Sequence, residues 1–546
     1  MILKLVDLFA FFSVLLRAGT LVFQSVLIGG VMFLLAVARS SPEINTDSVA
    51  RVRTATWRLL RISAIGLAIV QLTYLYVDSS VLMATAEIGF AGVVGANFFI
   101  SGAIVLTASV IAAFAASERN RFAPWLLPLL AITIMGASVM TNHAASRMEG
   151  RPLLIALSSL HELVTGFWIG GLPFLILGLV RARDTATQWQ LTKNFSRLAL
   201  LSVALLLLSG GFMSIIYIGS WRAVVGAAYG VMVLAKATML GVLLLLGGVN
   251  YLLLRDATPE QGLPRLRRLI EAEVGIGITV ILTAASLTSQ PPAVDQPNET
   301  VSFHQIYQRL KPTVPRFKYQ YISGLPSVGI NASAKGAVIE NRPQIYNVDG
   351  VPRTVHAIND AIESESNHHW MGLVVLAMGL LALFARTGKA QWAEYWPLLL
   401  IGISIFIFVQ ADTECWPVGS KGVGACWVDP EVFQHRIAAI VCAAFAIFEL
   451  RVRRQHRENS KLALVFPLMC ALGGAVLLTH SHAITNVKEN LLVELSHVPL
   501  GICAAFAGWA RWLELRLPAE DRKIPSWIWP ACFVLIGLGL LNYREM

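Results

Sequence analysis

Residues 229–254 read YGVMVLAKATMLGVLLLLGGVNYLLL, a run of 26 residues in which Lys236 is the one charge. At ~1.5 Å per residue a helix of this length reaches about 39 Å, more than the ~30 Å hydrocarbon core of a bilayer. Inside lipid only a helix satisfies every backbone group of such a run within the run itself. Comparable runs recur on both sides of it: 16–37, 57–77, 92–117, 122–141, 153–180, 196–218, 266–288, 369–386, 394–411, 433–451, 462–480, 491–512 and 526–542. The chain of 546 residues is 56% hydrophobic and only 14% charged, with a mean hydropathy of +0.64. These features predict an all-α, polytopic transmembrane bundle of about 14 spans.

The formal charge of +10 does not indicate a nucleic-acid partner, because the basic residues sit in short loops between spans. Arg39, Arg51, Arg53, Arg119, Arg121, Arg181, Arg183, Arg265, Arg267, Arg268, Arg386, Arg451, Arg453, Arg454, Arg516 and Lys523 all fall in one alternating set of loops. That set is cytoplasmic by the positive-inside rule, so both termini are expected outside. Asp7 and Arg17 interrupt the first apolar stretch, which argues against a cleaved signal peptide. A long polar loop divides the chain into an eight-span part, 1–288, an outer segment, 289–367, and a six-span part, 368–546. Segments 317–322 and 337–339 of that loop read as short strands.

Once oriented, the histidines fall on one side. Only His456 is cytoplasmic; His143, His161, His304, His356, His368, His369, His435, His480, His482 and His497 lie outside or in the outer half of a span. Packing gives a histidine no reason to prefer one leaflet, whereas handling of a soft or borderline metal at the outer face does. His161 is nine residues past Pro152, ~14 Å down the fifth helix. An ionisable residue at that depth must be paired or line a polar cavity. His143 stands at the outer end of the fourth span, and Met140, Met148 and Met213 are expected near the same level; thioether and imidazole together suit copper. Glu162 and Lys236 lie at comparable depth, so an ion pair between them is expected.

In the second part, His368, His369, His435, His480, His482 and His497 are candidate ligands, without a basis for saying which share one ion. Neighbours in a helix point about 100° apart, so His368 and His369 serve one metal only if a helix begins between them. His480 and His482 likewise need an extended turn. Glu494, three residues before His497, shares its face. Cys415 and Cys426 occupy one outer loop, where an oxidising compartment favours a disulfide; closing so short a loop contributes roughly 3 kcal/mol. No Gly-rich phosphate loop followed by Lys-Ser/Thr occurs and no large cytoplasmic domain exists, so nucleotide hydrolysis and enzymatic function are not expected.

Residues 141–174, TNHAASRMEGRPLLIALSSLHELVTGFWIGGLPF, resemble the CopD/PcoD copper-resistance family. The resemblance rests on His143, Ala144, His161, Trp168, Gly170 and Gly171, with Asn142 standing where that family often has glycine. It continues through Lys236, Asn250, Arg265–Arg268, Glu271 or Glu273, and Pro291-Pro292, and covers roughly residues 1–293. NHHW at 367–370, QHR at 434–436 and THSHA at 479–483 resemble the C-terminal extension of larger CopD-like proteins. The resemblance implies a multi-pass protein of the bacterial inner membrane that accepts copper ion from a periplasmic carrier of the CopC type and moves it inward. Two other readings stay open: haem held between helices by paired histidines such as His161 and His497, or copper delivery without translocation.

Overall fold

The computed structural model describes residues 9–38, 46–318, 355–428, 430–455, 460–479 and 487–545. Among them there is no strand; the backbone is organised as long helices joined by short turns. In the first part these are Phe9–Met32 (α1), Thr46–Ala86 (α2), Asn97–Ala115 (α3), Ala123–Val139 (α4), Arg151–Trp168 (α5), Leu172–Arg181 (α6), Thr185–Ile218 (α7), Ala228–Asp256 (α8) and Pro259–Thr288 (α9). The second part holds Val355–Arg386 (α10), Leu398–Gln410 (α11), Pro430–Arg454 (α12), Val465–Thr479 (α13), Val487–Arg516 (α14) and Lys523–Leu541 (α15). A π-helical turn, Phe33–Val37, extends α1, and α5 and α6 form one interrupted span.

Twelve of the described helices are long and apolar enough to cross a membrane. The protein is therefore a multi-pass membrane protein. The other two expected spans are present as helices of a different kind. Residues 122–141 form α4, 17 residues long and too short for that criterion. Residues 433–451 lie inside α12, which carries Arg436 and Glu449 as buried side chains. The ninth span also begins earlier than expected: α10 is already helical at Val355 and its apolar stretch at Ala361.

Helices without a hydrophobic drive between them associate through close backbone approach at small residues. α1 and α5 do this at Ser25 and Gly29 against Gly166 and Gly170. A Cβ on Gly170 would collide with the Ser25 carbonyl, and one on Gly29 with the Gly170 backbone. The two parts meet along α9, which packs on α1, α6 and α8 on one side and on α13 and α14 on the other. At that seam the Trp509 ring lies so close to Gly275 that a Cβ there would run into it.

The start of the outer segment bridges both parts. Val301 N–H donates to the Gly226 carbonyl at 2.8 Å, and a short helix, Phe303–Leu310, follows a complete capping box at Ser302 and Gln305. Beyond it, Arg544 holds the Thr313 hydroxyl at 2.9 Å and the Gln308 carbonyl at 3.0 Å. The expected strands at 317–322 and 337–339 lie almost wholly outside the described residues; Phe317 and Lys318 are in neither strand nor helix.

Candidate metal centres

Two groups of side chains gather at the end of the bundle opposite the arginine-rich loops. The first is built on α5 and α7 with the turn after α4. Asn142 precedes a short helix, His143–Ser146, in an extended conformation with φ −90°. Glycine's freedom is not required there, and the Asn142 side chain is put to use: its amide donates to Glu162 at 2.7 Å, and its carbonyl oxygen accepts from Arg17. Gln24 donates to the other Glu162 oxygen at 2.9 Å. The expected Glu162–Lys236 pair is therefore not formed. Glu162 is held by amides from α1 and the 142 turn, and Lys236 has no carboxylate at ion-pair distance among the described residues.

His143 packs against Tyr217 and Tyr229, with ring centroids 6.5 and 6.4 Å away. The Gln290 backbone lies beside the ring; Nε2 is buried and has no hydrogen-bond partner among the described residues. Burial holds this imidazole below the usual histidine pKa, keeping it neutral and able to donate a lone pair. His161 sits deeper, its Nδ1 3.2 Å from the Ser209 hydroxyl and its ring against Gly210. Between these levels the Ser158 hydroxyl reaches the Met213 sulfur at 3.4 Å. Ser209, Met213 and Tyr217 recur every four residues, so they share one face of α7. The partners on that face, Tyr217 for His143 and Ser209 for His161, are eight residues, about 12 Å, apart along α7. Met148 is 96% exposed, which removes it from the expected methionine set in this structure.

The second group is built on α10 and α14 with the residues after α15. His368 and His497 meet edge to face with centroids 5.8 Å apart. Tyr543 stacks on His368 at 3.9 Å and meets His497 at 5.5 Å. Each histidine donates Nδ1–H to a carbonyl one turn back, Ser364 at 2.7 Å and Val493 at 2.9 Å. That tautomer makes Nε2 the acceptor of both rings. It is also the arrangement in which a metal-ligating histidine is oriented through its other nitrogen. His435 pairs with Asp412 at 2.9 Å.

His369 is placed differently from His368. Its Nδ1 accepts from Arg316 N–H at 2.9 Å, and its Nε2 lies 3.0 Å from the Tyr543 carbonyl. Both nitrogens are engaged by backbone, so His369 fastens the outer segment and the residues after α15 to α10. The helix does not begin between His368 and His369, and the two rings diverge accordingly.

His480 and His482 lie outside the described residues. Among the described residues, no group of three or more His, Cys, Asp or Glu side chains is gathered as a metal site. Cys415 and Cys426 are disulfide-bonded, with Cα atoms 5.9 Å apart. The loop they close lies against α12, where Arg436 donates to the Trp416 carbonyl at 2.8 Å.

Sequence reasoning missed Tyr543, the aromatic face shared by His368 and His497. Its signal was available as a tyrosine just beyond an outward-ending span, a position typical of interfacial aromatics. Missed too was Gln290, whose backbone lies beside His143 while its amide donates to Glu494 at 3.3 Å. Glu494 lies one turn before His497, so this residue joins the two groups.

Residues 189–287, spanning α7, α8 and most of α9, match the family model described as copper resistance protein D, CopD. Over this stretch the chain is similar to the CopD family. The matched region carries Ser209, Met213, Tyr217, Tyr229 and Lys236, whereas His143 and His161 lie before it. The chain is also 32% identical over 192 residues to the copper transport protein CutJ of Bacillus subtilis (strain 168). That similarity spans about a third of each protein, 34% of this chain and 35% of the relative. No solved structure matches the chain.

Proposed function

We propose that this protein, similar to the CopD family over residues 189–287, accepts copper at the outer face of a bacterial inner membrane and passes it into or across the bilayer. The observation that carries the reading is the order of donors down one face of α7: His143 beside Tyr217, then Met213, then His161 beside Ser209. Imidazole and thioether are copper ligands, and spacing them two helical turns apart gives an ion successive partners rather than a single trap. His368 and His497, with His435 nearby, form a second binding place, to which His480 and His482 are assigned from sequence. A periplasmic carrier of the CopC type supplies the ion, and the protein performs no covalent chemistry.

Copper uptake into proteoliposomes tests this directly. Wild type takes up copper, and His143→Ala and His161→Ala each lower the initial rate by about tenfold or more, the range for disturbing a metal site. Uptake unchanged in both variants sinks the stepwise route. Stoichiometric copper without any uptake under a gradient means a delivery role instead. A Soret band in the purified protein would transfer the histidines to haem.

A further inference from the structure

At the arginine-rich end, a cavity of about 530 Å³ opens where the N-terminal turns of α7 and α9 meet the C-terminal end of α14. Its walls include Arg267, Arg268, Arg516 and Arg522, with Glu260 as the one acidic side chain. Positive-inside loops alone do not produce this arrangement, since solvated arginines normally splay into water. Here they converge from segments some 250 residues apart in sequence, as the numbering shows. Glu271 is shared by three of them, lying 2.5 Å from Arg268, 3.3 Å from Arg516 and 3.6 Å from Arg267. Glu520 and Asp521 are taken by Arg265. Arg522 donates to the Leu517 carbonyl at 2.6 Å and has no carboxylate partner among the described residues. Arg267 Nε is buried without a hydrogen bond.

Four guanidinium groups therefore line an open space with one carboxylate, Glu260, while Glu271 pairs with three of them from outside the lining. The positive ends of two long helices, α7 and α9, point the same way and add to the field. Planar guanidinium groups bind phosphate oxygens through paired hydrogen bonds, and basic pockets between spans on the cytoplasmic side hold anionic headgroups.

We propose that this cavity binds a phosphate group, presented either by an anionic phospholipid of the inner leaflet or as free phosphate. Leu263 and Leu517 in its wall give an acyl-bearing ligand an apolar surface as well. The site is separate from the histidines and independent of the copper reading.

Native mass spectrometry of the detergent-purified full chain tests it with phosphatidylglycerol and inorganic phosphate as probes. Arg522→Gln and Arg267→Gln are compared with wild type, and Arg119→Gln, an exposed arginine of the same end, serves as control. Wild type and the control retain phosphatidylglycerol, and each cavity variant lowers its affinity by about tenfold, the loss of one charge-assisted hydrogen bond. Retention that excess phosphate does not compete away identifies the lipid, whereas competition by phosphate identifies the free ion; both support the site. Equal affinity in wild type and both folded cavity variants, or binding of neither probe by wild type, overturns it. Intact thermal unfolding of either cavity variant is enough for the comparison.

Discussion

His368 and His369 are identical side chains one bond apart, and the backbone gives them opposite tasks. The sequence limits them to divergent directions, because 100° separates neighbours on a helix. It does not say which direction is which, since that depends on Arg316 and Tyr543, residues 53 and 174 positions away. The backbone bonds of His369 favour His368 as the ligand, and two substitutions separate the alternatives. His369→Ala leaves the Tyr543 carbonyl and the Arg316 backbone without their partner, at a cost of about 1–3 kcal/mol. It lowers the thermal unfolding midpoint while copper content measured by elemental analysis stays at the wild-type value. His368→Ala does the reverse. It leaves the backbone latch in place and reduces bound copper, with X-ray absorption showing fewer imidazole neighbours. A loss of copper in His369→Ala equal to that in His368→Ala would show that both rings are ligands and that the latch geometry is wrong. His161 was legible for a different reason: depth in an apolar run is a property of sequence alone. Its true neighbours, Ser209 and Gly210, were not, because they belong to another helix.

Among the helices, apolar run length carried most of the information, and two expected spans fall outside the twelve for different reasons. α4 is short and α12 carries Arg436 and Glu449, so neither reads as a lipid-exposed span. The charges of α12 are accommodated by neighbours: Arg436 lies over the Phe408 ring at 4.3 Å, and Glu449 accepts from Arg453 at 2.9 Å and Arg511 at 3.3 Å. Such partners come from other elements and are invisible to hydropathy. Small residues mark where helices touch, but not which helices. Gly275 looks like any glycine of an apolar run until Trp509 of the other part is placed against it. Gly275→Leu must displace that indole from the seam between α9 and α14. Overpacking of this kind costs about 1–3 kcal/mol or more. We expect a lower unfolding midpoint and faster proteolysis within residues 289–318. Gly241→Leu, at a position with open space where a Cβ would project, leaves both unchanged. Equal behaviour of the two variants would mean that α9 and α14 do not pack this closely.

In the described residues the helices before residue 289 and those after residue 355 pack together along α9, and treating them as two assemblies bears on how many ions the protein holds. His143 with His161 belongs to the first assembly, and His368 with His497 to the second. Gln290 touches both groups, through His143 on one side and Glu494 on the other, but it brings no histidine of one group against a histidine of the other. The arrangement therefore predicts separate binding events that are coupled mechanically. Titrated with Cu(I) under reducing conditions, His143→Ala/His161→Ala loses the copper of the first assembly and keeps that of the second. His368→Ala/His497→Ala shows the opposite loss, and the two deficits add to the wild-type total, as distant sites do. Gln290→Ala leaves the total unchanged and slows uptake, because its role is to hold the two groups in register rather than to bind. If either double variant alone abolished all binding, one ion would be shared between the assemblies. The outer segment would then have to bring His143 and His497 together in a conformation different from this one.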